Sequence, residues 1–356
     1  MIDNRMGDSG MEDNWIQDNR MEDNGMKDKE DYLSTLNERQ LDAVTTTEGY
    51  VRIIAGAGTG KTKALTHRYA YLVNELGIST SNILCVTFTN KAAREMSKRI
   101  RQMIGDSDTG YICTFHGFCV KLLREDIHAI NFPQNFVVMD DEDTEEILKT
   151  VYENAHIQSR TYTFDSARDH ITAMKSQMLH IPYLAEIGNE KLLADYEKAE
   201  KVEDKVFLGY LYEQKKVYGL DYDDLITIAL YILQTDETKQ IKWQERMMYV
   251  MVDEFQDVSN SQYALAEILS GYHRNLFIVG DPDQTIYTWR GAQIEYILEF
   301  DETHENTRTI FLDMNYRSTP EILTVSNSLI EKNKKRLPHR LEAYKESGRR
   351  PIYIHS

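Results

Sequence analysis

The feature that most restricts the fold of this chain is a glycine-rich stretch that follows directly on a short apolar run. The run Tyr50–Ile54 predicts a buried strand. Because glycine has no Cβ, such a loop can turn its backbone N–H groups toward phosphate, and the helix after it adds a positive N-terminus. The stretch therefore predicts a phosphate-binding loop between a strand and a helix. Its residues are Ala55, Gly56, Ala57, Gly58, Thr59, Gly60, Lys61 and Thr62.

A second apolar run, Met247–Met251, leads through Val252 into the acids Asp253 and Glu254. Ligands of open parallel sheets bind at the carboxyl ends of the strands, so these acids are expected at the same edge as the loop. Alone, two acids after a strand could simply cap the next helix. Beside a phosphate loop, they predict a site that binds and hydrolyses a nucleoside triphosphate with Mg²⁺.

Each polar side chain of this predicted site has a distinct task. Lys61 would neutralise the β- and γ-phosphates, and the Thr62 hydroxyl would bind Mg²⁺. Asp253 would hold the metal, directly or through water. Glu254 would orient and deprotonate the attacking water, since phosphoryl transfer depends mostly on positioning and charge stabilisation.

Strand and helix patterns alternate along most of the chain, which predicts a mostly parallel α/β sheet. Predicted strands lie at Val51–Ala55, Ile83–Phe88, Tyr111–Thr114, Met248–Val252, Asn275–Val279 and Thr309–Leu312, and a further short strand is expected at Pro351–His355. Helices are expected from Gly60 to about Asn74, Lys91 to about Met103, Phe115 to about His128, Ser259 to about Leu269, and Thr319 to Ile330. From about residue 125 to 215 the pattern is charged and helical, notably at Glu145–Glu153 and Tyr196–Val217, which predicts an inserted all-helical subdomain.

The composition is that of a globular protein, with 41% hydrophobic and 28% charged residues. Neither a membrane-length apolar run nor a signal-peptide pattern is found, and the three cysteines lack metal-ligand spacing, so a cytoplasmic protein without membrane contact is expected. The net charge of −17 argues weakly against nucleic acid as a partner, although a local basic face can still bind phosphates. Residues 1–33 repeat with period five and are acidic, which predicts a disordered tail, either an interaction segment or an unselected repeat.

Eight motifs in order resemble those of superfamily 1A DNA helicases of the UvrD/Rep/PcrA type, from about Leu36 to the last residue. They lie at residues 36–40, 55–62, 87–93, 114–117, 221–225, 252–257, 280–292 and 315–318. The resemblance implies a RecA-like P-loop NTPase motor domain formed by residues 34–124 and 216–312. It also implies a helical insertion at 125–215 and the incomplete start of a second RecA-like domain at 313–356, whose apolar faces would lack partners.

The resemblance implies further nucleotide contacts. Gln40 would read the adenine edge, and Tyr316 would stack on the ring. Gln284 would sense the γ-phosphate, and Arg317 would serve as an arginine finger. Where the family usually has arginine, this chain has Lys63, whose ammonium lacks the planar guanidinium, so the adenine contact there is in question.

The resemblance also implies contacts with single-stranded DNA. Stacking on bases is expected from Phe88, Tyr287 and Trp289, and contact with phosphate or sugar from Asn90, Thr114, His116 and Arg290. A stripe on the predicted helix after Phe88 is basic, and its spacing places it on one helix face. Its residues, Lys91, Arg94, Lys98 and Arg101, are either a solvated face or a contact for the DNA backbone.

The function that follows is an ATP-dependent DNA helicase or translocase of 3′→5′ polarity, acting on single-stranded or 3′-tailed duplex DNA. Two further family motifs are not found, so impaired turnover is expected, with a separate chain as a source of the missing half. The alternative is a catalytically weak, nucleotide-gated DNA-binding remnant. A small-molecule kinase is excluded because it explains neither residues 284–290 nor 88–93.

Overall fold

A six-stranded parallel sheet forms the centre of the protein in the computed structural model, which describes residues 31–105, 108–285 and 291–352. The strands are β1 (Tyr50–Ala55), β2 (Ile83–Thr87), β3 (Tyr111–Thr114), β6 (Tyr249–Val252), β7 (Leu276–Gly280) and β8 (Arg308–Leu312), in the order β3-β2-β6-β7-β1-β8. All adjacent pairs are parallel. The predicted α/β fold is confirmed, with strand ends within a residue or so of those expected.

Helices cover both faces of the sheet. One face packs against α2 (Glu38–Thr45), α3 (Lys61–Asn74) and α4 (Asn90–Ile104). The other packs against α5 (Phe115–Asp126), α11 (Tyr222–Thr235), α12 (Glu237–Arg246) and α13 (Asn260–Ser270). Strand residues alternate between the two cores: Val51 and Ile53 face one, whereas Ile54 faces the other. This double coverage explains why the strands are almost continuously apolar.

Between α5 and α11 in the sequence, the chain forms a helical region that has its own core. Its helices are α6 (Asp141–Asn154), α7 (Phe164–Ser176), α8 (Ile181–Leu184), α9 (Glu190–Lys198) and α10 (Val202–Lys216). The helical period expected over Tyr196–Val217 does not form one helix, because Ala199 adopts an extended conformation between α9 and α10. A short parallel pair, β4 (Val137–Val138) with β5 (Gly219–Leu220), joins the two ends of the region.

The remaining described elements are small. They are α1 (Asp31–Ser34), α14 (Glu295–Leu298), α15 (Phe300–Thr303), β9 (Met314–Asn315), α16 (Pro320–Ile330) and β10 (Glu342–Ala343), with β9 parallel to β10. Helix α16 exposes Ile322, Val325 and Leu329 along one side.

Two sequence expectations fall at or beyond the limits of the described residues. Residues 351 and 352 lie outside any strand, so the strand expected at Pro351–His355 does not begin where predicted, and 353–356 are outside the described residues. The period-five tail lies almost wholly outside them as well. None of the described helices is both long and apolar enough to span a membrane.

Candidate nucleotide and nucleic-acid clefts

The glycine-rich loop joins β1 to α3 with a backbone that its glycines permit. Gly58 and Gly60 have φ values of 78° and 91°, in the left-handed region that disfavours residues with a Cβ. Lys61 and Thr62 open α3, so their N–H groups lie at the positive end of the helix. Thr59 is buried, and its hydroxyl donates to the Gly56 carbonyl at 2.8 Å, which fixes the turn.

Lys61 and Glu254 meet across the loop although they are far apart in sequence. The Lys61 ammonium lies 2.6 Å from Glu254 Oε2, and Gln256 Nε2 donates to the same oxygen at 3.0 Å. Glu254 holds a left-handed conformation, with φ of 49°. A residue with a Cβ is rarely found there, and such strain is concentrated at functional sites. The pair therefore brings a candidate phosphate-binding cation together with a candidate base.

Asp253 follows β6 beside this pair and is only 6% exposed. Burial and the neighbouring Glu254 raise the pKa of Asp253 to about 6, although the positive charge of Lys61 opposes the shift. A buried carboxylate in this position favours a cation nearby. The residues fit Mg²⁺, which usually takes one or two carboxylates and completes its shell with substrate phosphates and water. Asp253 and Thr62 would hold it.

Lys61, Thr62 and Glu254 border a cleft of about 620 Å³, the phosphate-loop cleft, whereas Asp253 is not among its lining residues. Its lining residues are Thr35, Gln40, Ala57, Gly58, Gly60, Lys61, Thr62, Lys63, Arg99, Glu254, Gln284, Tyr316 and Arg317. Gln284, from the segment after β7, donates to the Asp281 carboxylate. Burial raises the pKa of Asp281, and its hydrogen bond from Gln284 opposes that rise. Five separated motifs thus converge on one cleft.

The opposite end of the cleft is formed by α2 and Tyr316. Gln40 donates from Nε2 to the Thr59 carbonyl at 2.9 Å and accepts from the Asn37 backbone at 3.2 Å. After these bonds the Gln40 amide retains one N–H and one lone pair, which could pair with the edge of a nucleotide base. Asn37 donates to the Tyr316 hydroxyl at 2.7 Å, which connects the two sides of this end.

The segment after β8 packs directly on the glycine-rich loop. Asn315 Nδ2 donates to the Ala57 carbonyl at 2.6 Å, and the Tyr316 N–H donates to the Gly58 carbonyl at 2.9 Å. A Cβ on Gly58 would lie 2.6 Å from Arg317 Cβ, and one on Gly56 would lie 2.7 Å from Leu341 Cδ1. The loop backbone, and not only its side chains, therefore positions Tyr316 and Arg317.

Some predicted nucleotide residues are not on the cleft wall, and others were missed. Ala55, Gly56 and Thr59 do not line the cleft; Ala55 is fully buried in β1. Thr35 and Arg99 line it, although no sequence motif singles them out. Arg99 follows Glu95 by one helical turn and is ion-paired with it, so the sequence pattern indicates only an ordinary surface pair.

A second cleft, of about 510 Å³, lies at the ends of β2 and β3; we call it the aromatic cleft. Its lining residues are Thr87, Phe88, Thr114, Phe115, His116, Thr172, Ser176, Tyr222, Asp223, Ile226, Thr227, Asp257, Ser259, Ser261 and Gln262. The rings of His116 and Tyr222 meet edge to face, 5.4 Å between centroids. Burial lowers the pKa of His116, and the Asp223 carboxylate opposes that shift. At neutral pH the ring is therefore expected to be uncharged.

The aromatic cleft contains only part of the set predicted to contact DNA. Phe88, Thr114 and His116 line it, whereas Asn90 is exposed at the start of α4 and does not. The predicted contacts Tyr287, Trp289 and Arg290 lie outside the described residues. Lining residues from the helical region were missed: Thr172 on α7 donates to Asp223 Oδ2 at 2.8 Å. Only the packing of α7 against α11 brings it there.

A buried ionic cluster supports the aromatic cleft from behind. Lys175, on α7 and fully buried, pairs with Asp221 and with Asp224, the latter at 2.8 Å. Tyr210 donates to Asp221 at 2.7 Å, and Gln214 donates to Asp224, both from α10. Burial and the proximity of Asp221 raise the pKa of Asp224, because one cation faces two carboxylates. The cluster joins the helical region to α11, which carries Tyr222 and Asp223.

Comparison with known proteins gives one consistent result. A family model described as the UvrD/REP helicase N-terminal domain matches residues 36–305. The ATP-dependent DNA helicase PcrA of Staphylococcus aureus (strain COL) is 38% identical over 322 residues, covering 90% of this chain and 43% of the relative. PcrA of Staphylococcus epidermidis (strain ATCC 12228 / FDA PCI 1200) is 38% identical over 317 residues, covering 89% and 42%. The chain thus spans less than half the length of these relatives.

Proposed function

The chain belongs to the UvrD/REP helicase family, and from this premise we propose that it is the ATP-binding motor part of an ATP-dependent DNA helicase. In this proposal, ATP with Mg²⁺ binds in the phosphate-loop cleft, and a DNA strand binds in the aromatic cleft. The PcrA relatives are named for this activity. Both clefts lie at the carboxyl edge of one sheet, where ligands of open parallel sheets bind.

The observation that carries the proposal is the contact between Lys61 and Glu254, 2.6 Å apart within the phosphate-loop cleft. A phosphate group entering the loop would compete for Lys61, since both it and Glu254 are anionic. Transfer of Lys61 to phosphate would leave the Glu254 carboxylate free to accept a proton from water. The pair is thus suited to hold the base inactive until nucleotide arrives.

The other residues support the same chemistry. Asp253 and Thr62 would hold Mg²⁺, whose positive charge would stabilise the phosphate oxygens. Gln284 lies between this cleft and the segment leading to residues 286–290, and that position favours it as a sensor of the γ-phosphate. Arg317 borders the same cleft from beyond β8, which supports its role as an arginine finger.

The remaining parts of the proposal concern the DNA substrate and a polypeptide partner. We propose single-stranded or 3′-tailed duplex DNA as the substrate, with 3′→5′ movement. The exposed apolar side of α16, with Ile322, Val325 and Leu329, supports packing of a further polypeptide segment there, from a separate chain or from the same one. Cooperation of two motor domains would then depend on that segment.

The test is steady-state ATP hydrolysis by the purified chain, with and without single-stranded DNA, beside Lys61→Ala. Loss of Lys61 removes a cation from the phosphate site, and we expect hydrolysis to fall by about 10²–10³-fold, as for removal of one oxyanion donor. Lys149→Ala is the control: this lysine is exposed on α6 and lines neither cleft, and its one ion pair among the described residues is with Glu145, one helical turn away.

The outcomes distinguish a working motor from a DNA-binding remnant. DNA-stimulated hydrolysis that requires Lys61 supports a working motor. ATP binding without any turnover, measured by calorimetry, would instead favour the nucleotide-gated DNA-binding remnant. Hydrolysis that Lys61→Ala leaves intact would refute the site itself.

A further inference from the structure

The aromatic cleft lacks the charge that a nucleic acid backbone requires. Among the described residues that line it, none is lysine or arginine, and two, Asp223 and Asp257, are carboxylates. His116 is held toward its neutral form because burial lowers its pKa. Phosphate neutralisation by cations provides most of the sequence-independent affinity for nucleic acids. Cations that lie beside this described wall would therefore add affinity for a DNA strand bound in the cleft.

Helix α4 presents a row of such cations. It begins at Asn90, two residues after Phe88 of the cleft, and carries Lys91, Arg94, Lys98 and Arg101. All of these basic side chains are exposed, and within the described part of the chain none is ion-paired. In a protein with a net charge of −17, a row of exposed cations without acidic partners is a local feature that needs an explanation.

The orientation of the row is fixed by packing. Ala93, Met96 and Ile100 form the buried side of α4, and the latter two belong to the core on one face of the sheet. The basic side must consequently face outward. The acidic residue Glu95 pairs with Arg99, which lines the phosphate-loop cleft. The row itself is therefore left uniformly positive.

The row is long enough to extend the cleft. Lys91 and Arg101 are separated by ten positions, which corresponds to roughly 15 Å along a helix at 1.5 Å per residue. Its far part borders a shallow hollow of about 410 Å³, lined by Arg94, Ser97, Lys98, Arg101 and Gln102. Serine and glutamine add hydrogen-bond donors for phosphate oxygens.

We propose that the outer face of α4 binds the phosphodiester backbone of single-stranded nucleic acid as it leaves the aromatic cleft, with Lys98 and Arg101 as its far contacts. The inference rests on the proposed function, because it extends the proposed DNA site. Binding at this face is sequence-independent, since no aromatic side chain among the described residues lines the hollow to stack on a base.

The test is the salt dependence of oligothymidylate binding to the full chain, measured by fluorescence anisotropy for Lys98→Ala/Arg101→Ala and for the parent. For single strands the slope of log K against log salt is about −0.7 per neutralised phosphate, so losing two contacts makes it shallower by about 1.4. Near 0.1 M salt we expect affinity to fall on the order of ten-fold. The loss is expected only for strands long enough to reach beyond the cleft.

A matched control is Arg160→Ala/Lys198→Ala in the helical region, which removes one arginine and one lysine from exposed positions without an ion pair among the described residues. It changes the net charge equally, so it measures the effect of total charge alone. All four positions are exposed, and both double variants are expected to fold; ATP affinity serves as the check.

Three results would overturn the inference. The slope of the α4 variant could equal that of the parent, or the control could lose as much affinity. The variant could also bind DNA normally yet lose binding to vesicles of anionic phospholipid, which would assign the face to a membrane surface. Failure of the parent chain to bind any oligothymidylate would instead refute the DNA site of the proposed function, a distinguishable outcome.

Discussion

The two clefts lie at the same edge of one sheet, yet different interactions hold their walls in place. Neighbouring backbone forms much of the phosphate-loop cleft, where the Ala57 and Gly58 carbonyls accept hydrogen bonds from Asn315 and Tyr316. The aromatic cleft depends on packing between separate helical units. There α7 and α11 meet through Lys175, which is buried between two carboxylates.

This difference has a consequence for how each cleft can respond to ligand. A phosphate bound in the loop would act on backbone groups that already contact Tyr316 and Arg317. A shift of the loop would therefore displace these two residues directly. A DNA strand in the aromatic cleft would touch side chains whose positions depend on how the helical region packs on the sheet. Substitutions in the glycine-rich loop should therefore affect nucleotide binding, and substitutions at Lys175 should affect DNA binding.

The largest expected effect is that of Lys175→Met. Methionine fills a similar volume but leaves Asp221 and Asp224 without their cation, and breaking a buried pair typically costs about 3–5 kcal/mol of unfolding free energy. Denaturant unfolding measures the loss, and DNA affinity should fall while ATP affinity is kept. Lys216→Met is the control, because that lysine is half-exposed and its one ion pair among the described residues, with Glu213, is worth about 0–1 kcal/mol.

The pH dependence of the same variant gives a second check. Burial acts to raise the pKa of Asp221, but the charge of Lys175 outweighs it and holds that pKa below its usual range. A lowered carboxyl pKa gives stability that is present above the unfolded value and is lost as pH falls through the folded value. The unfolded state is common to both proteins, and burial without Lys175 would raise the pKa of Asp221, so the deficit of Lys175→Met should shrink as pH falls from neutral. A deficit that stays constant would show that lost packing, not charge, is responsible.

A smaller effect, confined to the other cleft, is expected for Gly58→Ala. A left-handed conformation costs a residue with Cβ roughly 1–2 kcal/mol, and here the new Cβ would also meet Arg317. We expect ATP affinity to fall at least about ten-fold, which corresponds to about 1.4 kcal/mol, with DNA affinity unchanged. Isothermal titration of both ligands tests this.

Gly49→Ala distinguishes the effect of backbone strain from the effect of a steric contact with Arg317. Gly49 has φ of 84°, close to that of Gly58, but no atom lies within 4 Å of the place that a Cβ on Gly49 would occupy. The variant should lose stability of similar size without loss of ATP affinity. Equal losses of ATP affinity in the two variants would mean that the contact between the loop and Arg317 has no role in binding.

The phosphate-loop cleft was largely predictable because its residues lie in short contiguous motifs. Strand, glycine turn and helix N-terminus are local features, and the acids after β6 follow from the parallel sheet. What could not be predicted is how these motifs touch: the hydrogen bond of Asn315 to the loop, or the place of Arg99 on the cleft wall. Both depend on tertiary packing, which leaves no periodic signal in the sequence.

The aromatic cleft was predicted less completely for the same reason. Phe88, Thr114 and His116 follow strand ends and were found, but Thr172 and Ser176 come from a helix whose sequence indicates only an amphipathic segment. The interruption between α9 and α10 was also missed, since Ala199 is compatible with a helix and only its neighbours' packing selects the extended form.

The smallest effect, and the sharpest test of the aromatic cleft, is expected for Asp223→Asn. Its carboxylate lines the cleft and would repel phosphate, so its removal should tighten DNA binding by a few-fold at low salt, about 1 kcal/mol or less in a largely solvated site. Asparagine keeps an acceptor for the Thr172 hydroxyl, so the wall should stay intact. Anisotropy titrations at low and high salt measure the gain, which should vanish as screening increases.

The control for this variant is Asp169→Asn, which removes the same charge from an exposed position on α7 outside the cleft. It should change DNA affinity by less than Asp223→Asn at every salt concentration. Weaker binding by Asp223→Asn would reverse the interpretation of the cleft. Because the Asp223 carboxylate acts to raise the pKa of His116, weaker binding would mean that a charged His116 contacts the DNA strand, and the loss should then grow as pH falls below neutral.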